Sequence, residues 1–373
     1  MSWVLDEQRR LLRDSAQTFV GERLPVAQLR SLRDRADERG FDAAGWRAFG
    51  AQGYAATLVP EAHGGLGLGV CEAGLIAEQL GRTLAASPFL GTAVLAGWLV
   101  ARGGGAAQQQ AWLPRIAAAD TVLALAVDDG PRHRPQSITT RAVRDGDGWR
   151  VDGAKQLVVD GHVADAIVVA AQADDGVALL LLPRGTPGLQ VERTVMVDAH
   201  NAARVRLDGV RVGADALIGS VEQGRALLDG VLDVGRMVVA SELIGLADEV
   251  FERTVDYLQQ RKQFDRVIGE FQALQHRAAE LFCDLELARA LVRQAQAALD
   301  AGQADAPRLV AQAKARANLS ANRAVQEGVQ MHGGIGMTDE LDIGLFMKRA
   351  RVLQELLGDT AFHLDRAARF TGY

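Results

Sequence analysis

Several features that mark specialised classes of protein are missing from this sequence. Its 373 residues include only two cysteines, Cys71 and Cys283, which form neither a Cys-x-x-Cys pair nor a metal-binding spacing. Free cysteines are usually buried, so we expect two buried thiols. The sequence predicts no metal site.

Signals for membranes, secretion and nucleic acid are also absent. No stretch of eighteen consecutive apolar residues occurs, so the sequence predicts no membrane-spanning helix. The first ten residues lack the apolar segment of a secretory signal peptide. The formal net charge of −6 at pH 7 disfavours nucleic acid or an anionic membrane as the main partner. We expect a cytoplasmic protein.

What the chain does contain is a change of pattern that divides it into three regions. Residues 1–120 have apolar positions at helical spacing. Residues 121–220 have short β-branched segments separated by Asp-Gly and Pro-Gly turns, which predict an antiparallel β-barrel or sandwich. Residues 221–373 return to helical spacing, and the last predicted helix runs from Ile343 to Arg369. The predicted fold is therefore α+β and multidomain.

Three short segments near the C-terminal region suit the binding of a dinucleotide. Arg261-Lys262-Gln263-Phe264 offers a guanidinium, whose planar fork matches a pyrophosphate. Phe271-Gln272 follows, and the segment from Gln330 to Gly334 ends in two glycines, which let backbone N–H groups approach an anion. A basic helix end, favourable to the helix dipole, would explain Arg261 and Lys262. It would not explain the other two segments.

The spacing of these segments resembles the acyl-CoA dehydrogenase flavoprotein family, which has an R-x-Q-F segment, a Gln eleven residues after the Arg, and a later Q-x-x-G-G. The resemblance covers essentially the whole chain. It implies a helical N-terminal domain, a β-barrel middle domain and a C-terminal four-helix bundle. It also implies a flavoprotein oxidoreductase of fatty-acid or lipid degradation. The residues that would bind FAD are Arg261, Phe264, Gln272, Gln330, Gly333 and Gly334.

The same resemblance implies partners and a substrate. In this family the FAD-binding residues often serve the flavin of a neighbouring subunit, which implies a homotetramer or a heterotetramer with a related chain. The substrate would be an acyl-CoA, and an electron-transfer flavoprotein would accept the electrons. Asp233 and Arg236 match a D-x-x-R motif that reaches the CoA arm. An intrahelical ion pair between them is the alternative interpretation.

Two other segments match only in part. The hairpin from Gly148 to Lys155 resembles the W-x-x-x-G-x-K strands that lead to the flavin ring, but Leu157 replaces the usual aromatic residue and Val159 the usual hydroxyl. The segment from Ala126 to Pro131 stands where the family has a T-E-P-x-A-G-S-D loop. These departures weaken the expected side-chain contacts to the flavin.

The catalytic base is missing from both positions where the family places it. Removing a proton from the α-carbon of an acyl-CoA needs a well-placed base, usually a Glu. Leu357 and Gly235 occupy the two aligned positions, and neither can accept a proton. Glu340, after the glycine loop, is the remaining candidate.

Two hypotheses remain open. The chain is a working dehydrogenase with a displaced base, or a non-catalytic subunit that donates half of an FAD site to a partner carrying the Glu. Another flavin reaction, such as that of an oxidase, would need a catalytic group that the sequence does not offer.

Overall fold

The computed structural model describes residues 5–372, so residues 1–4 of the segment compared with signal peptides, and residue 373, lie outside the described part. Within it the α-helices are α1 (Glu7–Arg23), α2 (Val26–Asp34), α3 (Ala43–Ala51), α4 (Val70–Thr83), α5 (Gly97–Gly103), α6 (Ala106–Ala117), α7 (Val221–Gln260), α8 (Gln272–Asp300), α9 (Ala306–His332), α10 (Ile343–Glu355) and α11 (Thr360–Phe370). The strands are β1 (Leu123–Ala126), β2 (Arg141–Asp145), β3 (Gly148–Val159), β4 (Ala166–Ala173), β5 (Gly176–Pro183), β6 (Leu189–Val195), β7 (Asn201–Val212), β8 (Lys262–Gln263) and β9 (Arg266–Val267).

These elements form two compact units. The first, the helical unit, comprises the chain up to Ser31, Val70–Ala85 and the chain from Arg236 onward. The second, the sheet unit, comprises Leu32–Gly69 and Ala86–Gly235. Within the described residues, no helix is long and apolar enough to cross a membrane.

The core of the helical unit is built around α7. Every residue of this helix from Arg236 to Ala247 is buried, because apolar side chains are distributed all around the helix in this stretch. Glycines let α4 approach it closely: a Cβ on Gly245 would overlap the carbonyl of Glu78, and a Cβ on Gly81 would overlap that of Glu242. The backbones of the two helices are therefore in direct contact.

The sheet unit contains a curled, mixed sheet. Its strand order is β1-β4-β2-β3-β7-β6, and β5 pairs with the other side of β4. The β2–β3, β3–β7, β4–β5 and β6–β7 pairs are antiparallel, as predicted, but β1 and β2 pair with β4 in parallel. The pairing of β3 with β7 shifts register between Lys155 and Val158, which marks a bulge.

The predicted order of helices, sheet and helices is confirmed, but two details were wrong. The single helix predicted from Ile343 to Arg369 is broken into α10 and α11 by residues with positive φ angles, Leu357 and Gly358. The expected burial of both thiols is also wrong. Cys283 is exposed because it lies on the outer face of α8, and Cys71 is half-buried.

Candidate functional site

The first group of predicted FAD ligands follows the end of α7. The chain leaves the helix after Gln260 and forms a small hairpin in which β8 and β9 pair. Phe264 and Asp265 occupy its turn with φ angles of 57° and 61°. This turn directs Phe264 outward, and 84% of the residue is exposed.

The end of α9, which carries the glycine segment, lies beside the end of α7. Tyr257 packs against His332 with ring centroids 4.5 Å apart. His332 is buried, and its Nδ1 lies 2.7 Å from the carbonyl oxygen of Gly328. Burial lowers the pKa of His332, so the neutral ring donates from Nδ1. His332 therefore packs and hydrogen-bonds within the helical unit.

All six predicted cofactor residues are exposed on the helical unit. The side chains of Arg261, Gln272 and Gln330 form no hydrogen bond or ion pair with any residue of the described chain. Gly333 has a φ angle of +66°, and a Cβ at Gly333 or Gly334 would meet no atom within 4 Å. Free donors and open backbone are what a pyrophosphate and an adenine require, so these residues fit an FAD.

The aligned base position lies in a sharp corner between α10 and α11. Leu357 has a φ angle of 59°, which is uncommon for a residue with a bulky side chain, and Gly358 has a φ angle of 116°. Leu357 is 7% exposed. We call residues 356–358 the base corner.

Four side chains hold the carbonyl groups of this corner and of the helix end before it. The carbonyl oxygen of Leu357 lies 3.1 Å from Arg236 Nε and 3.2 Å from His363 Nε2. Lys314 Nζ donates to the carbonyl of Leu353 at 3.0 Å. The Asn318 Nδ2 group donates to the carbonyl of Gln354 at 3.3 Å.

Lys314 is the unusual member of this set, because it is fully buried. Its ammonium donates to Asn318 Oδ1 at 2.7 Å and lies 3.5 Å from the carbonyl oxygen of Gly358. Burial, together with the charge of Arg236, lowers the pKa of Lys314 to about 7. The sequence reasoning missed Lys314, Asn318 and His363. A lysine within the alanine-rich face of α9 was the available signal.

No carboxylate takes the place of the missing base at this corner. Glu355 forms an ion pair with Arg351 on the same helix at 2.8 Å. The Asp359 side chain accepts from the backbone N–H of Phe362 at 2.7 Å and so caps α11. Both are exposed and point to other partners.

The remaining candidate residues lie on α7 and after the glycine loop. Gly235 offers no side chain. Asp233 and Arg236 are only 4% and 2% exposed, so they do not form a solvent-exposed ion pair. Glu340 lies in an exposed turn, and its carboxylate forms no bond with the described residues.

The residues of the sheet unit that depart from the family pattern are Leu157 and the loop that contains Asp128 and Asp129. Leu157 lies in the β3 bulge with a φ angle of 53° and is 45% exposed. The buried Lys155 pairs with Asp129 at 2.7 Å, and Asp129 also accepts from Thr140 Oγ1 at 2.6 Å. Asp128 accepts from the backbone N–H of Arg134 at 3.0 Å. Two acidic side chains thus order the loop that replaces the family's T-E-P segment.

The chain matches the family models of three domains in sequence order. They are described as the acyl-CoA dehydrogenase N-terminal domain, at residues 6–120, the middle domain, at residues 125–210, and the C-terminal domain, at residues 222–371.

Individual proteins show the same similarity. Acyl-CoA dehydrogenase IpdE2 of Mycobacterium tuberculosis is 31% identical over 353 residues, which cover 94% of this chain and 93% of that protein. Acyl-CoA dehydrogenase FadE27 of the same organism is 30% identical over 346 residues, 90% of each chain. A chain in the crystal structure of the ChsE4-ChsE5 complex from Mycobacterium tuberculosis is 28% identical, with a TM-score of 0.92 and full coverage of both chains.

Proposed function

The chain belongs to the acyl-CoA dehydrogenase family, and on this basis we propose that it is a non-catalytic subunit of an FAD-dependent acyl-CoA dehydrogenase. In this proposal it binds part of the flavin of a partner chain, and that partner supplies the base. The assembly is a heterotetramer with a related chain. An electron-transfer flavoprotein accepts the electrons.

The observation that carries the proposal is the side chain at the base corner. α,β-Desaturation needs a proton acceptor at the α-carbon of the acyl group. The backbone of the corner is held by Arg236, His363 and Lys314, yet it presents Leu357. A leucine cannot take a proton, and the flanking carboxylates have other partners.

The free and exposed polar side chains support the role in flavin binding. Arg261 would bind the pyrophosphate, Gln272 and Gln330 would donate or accept at the adenine end, and the backbone of Gly333 and Gly334 would approach the same ligand. When bound, the flavin supplies hydride acceptance from the β-carbon of the substrate. The residues of this chain bind and orient that cofactor.

The substrate contacts proposed for Asp233 and Arg236 are compatible with a second role for Arg236. Its Nε holds the carbonyl of Leu357, and its guanidinium lies 5.4 Å from the ring centroid of Phe362. The cytoplasmic location stays a prediction.

A second candidate function is a self-sufficient, homotetrameric dehydrogenase in which Glu340 acts as a displaced base. The exposed carboxylate of Glu340, which has no partner among residues 5–372, favours it. The first proposal needs no movement of that turn, and it explains why the base corner is intact without a base.

The decisive experiment is to purify the chain alone and together with a related chain that has a Glu at the base position. We expect the single chain to be colourless and inactive, and the pair to be yellow and to reduce its flavin with acyl-CoA. A yellow and active homotetramer would contradict the proposal. In the pair, Arg261→Gln should weaken FAD binding by about tenfold or more, the loss expected for a charge-assisted contact. Lys262→Gln, an exposed neighbour, is the matched control.

A further inference from the structure

The segment that follows α9 carries the two glycines proposed to bind FAD, and it has little regular structure to fix it. Residues 333–342, which we call the glycine-loop segment, form a short 3₁₀ turn from Gly333 to Met337 and then irregular turns up to α10. Most of these residues are exposed. What holds the segment in place therefore needs a specific explanation.

Arg30, near the N-terminal end of the sequence, forms ion pairs with the C-terminal part of this segment. Arg30 on α2 forms ion pairs with Asp342 Oδ1 through Nε at 2.8 Å and with Asp339 Oδ2 through Nη1 at 3.2 Å. A guanidinium can bind two carboxylates in this way because its N–H groups point in fixed, separate directions. A lysine ammonium is a point charge without that geometry.

A second arginine, Arg253, forms an ion pair with the other oxygen of the Asp342 carboxylate. Arg253 on α7 reaches Asp342 Oδ2 through Nη1 at 3.0 Å and Glu249 through Nε at 2.8 Å. Both oxygens of the Asp342 carboxylate are thus used by arginines. The side chains of Arg30 and Asp342 are only 22% and 24% exposed, so solvent screens this pair less than it screens a surface pair.

The Asp342 carboxylate pairs with arginines instead of capping the helix that follows it. It precedes the first residue of α10, where an aspartate normally accepts a hydrogen bond from the first turn of the helix. Here the side chain makes no such bond. The first turn of α10 therefore has no side-chain cap from Asp342, and the same carboxylate instead links the glycine-loop segment to α2 and α7.

Apolar packing does not hold Asp342 in place on the side where it borders a cleft. A cleft of about 420 Å³ lies beside the arginines and is lined by Arg82, Glu249, Arg253 and Asp342 among others. Arg82 continues the line of ion pairs with Glu249 at 3.0 Å. Ion pairs, rather than a filled apolar core, bridge this space.

We propose that Arg30 is a positioning residue that fixes the glycine-loop segment, and with it the backbone of Gly333 and Gly334, in the conformation that binds FAD. This inference rests on the proposed role of those glycines. Arg30 acts through Asp339 and Asp342 and touches no cofactor itself.

The test measures FAD affinity and thermal stability separately, in the complex of this chain with its catalytic partner. Arg30→Met should raise the dissociation constant of FAD, followed by quenching of flavin fluorescence, by about threefold to tenfold, as expected for the loss of one partly buried and one exposed ion pair. Arg30→Lys should restore part of the affinity. Asp339→Asn removes the charge of the more exposed partner of Arg30 and should give a smaller loss. Arg10→Met, at an exposed arginine of α1 whose side chain forms no bond with the described residues, should change nothing.

The outcomes separate this inference from the proposed function. If Arg261→Gln weakens FAD binding but Arg30→Met and Asp339→Asn do not, the positioning role is wrong and the proposed function stands. If Arg261→Gln has no effect either, the glycine-loop and hairpin residues do not bind FAD, and both proposals fail. A lower melting temperature of Arg30→Met at unchanged FAD affinity would show that the ion pairs only stabilise the fold.

Discussion

Replacing Lys314 by methionine should change how the stability of the protein depends on pH. In the folded chain this amine is fully buried, and its pKa is lowered from 10.5 to about 7. Between these two values the unfolded chain binds a proton that the folded chain does not, so the free energy of unfolding must rise with pH. One pKa unit corresponds to about 1.4 kcal/mol, so the wild-type protein should gain roughly 3 kcal/mol between about pH 7 and pH 9 relative to the variant.

The variant has a cost of its own that does not depend on pH. Methionine fills a similar volume, but it leaves the oxygens of Asn318, Leu353 and Gly358 without the donor that Lys314 provides. A buried acceptor without a donor costs about 1–3 kcal/mol. The free energy of unfolding of the wild type, relative to that of Lys314→Met, should therefore increase as pH rises above 7, whatever the size of this constant cost.

Urea unfolding, followed by circular dichroism at fixed protein concentration and at several pH values, measures this difference. Lys348→Met removes an exposed lysine from α10 and should follow the wild-type pH dependence. Parallel curves for the wild type and Lys314→Met would refute the reasoning. They would mean that the three oxygen acceptors keep Lys314 charged in the folded state throughout this range.

Two further predictions follow from the same unit. Gly245→Ala should lower the free energy of unfolding by about 3 kcal/mol or more, because the new methyl group overlaps the carbonyl of Glu78 between α4 and α7. Thermal denaturation measures the effect, and Gly21→Ala in α1, where a Cβ meets no atom within 4 Å, is the control. Equal melting temperatures of the two variants would contradict the close packing of α4 on α7. In the chain loaded with FAD in the absence of a partner, Leu357→Glu should increase reduction of bound flavin by acyl-CoA at least about a hundredfold over Leu357→Gln, the gain typical of a positioned base; equal rates in stopped-flow absorbance, with FAD bound to both variants, would show that the corner is not the base position.

Local patterns were sufficient to predict most of the helices but not where the last one breaks. The periodic apolar residues of α7, α8 and α9 predict helices close to those observed. The break between α10 and α11 depends on the left-handed conformation of Leu357, which leucine does not favour by itself. Gly358 was a visible signal, since glycine commonly follows the end of a helix.

Contacts between distant segments could not be predicted from patterns. Arg30 and Asp342 are separated by 312 positions, and nothing in either local sequence selects the other. The parallel pairing of β1 and β2 with β4 has the same origin, because it is set by the packing of the whole sheet rather than by the strands' own residues. The motif spacing around Arg261 was informative because it reflects a shared ligand and not a local preference.

The base corner also bears on how a chain of this kind can arise. Its backbone is held by Arg236, Lys314 and His363, and none of them contacts the side chain of residue 357 through a hydrogen bond. After a gene duplication, the carboxylate could be exchanged for an apolar group in one copy while the surrounding turn kept its shape. A change of role would then require no unstable intermediate, and the two copies would remain similar enough to assemble with each other.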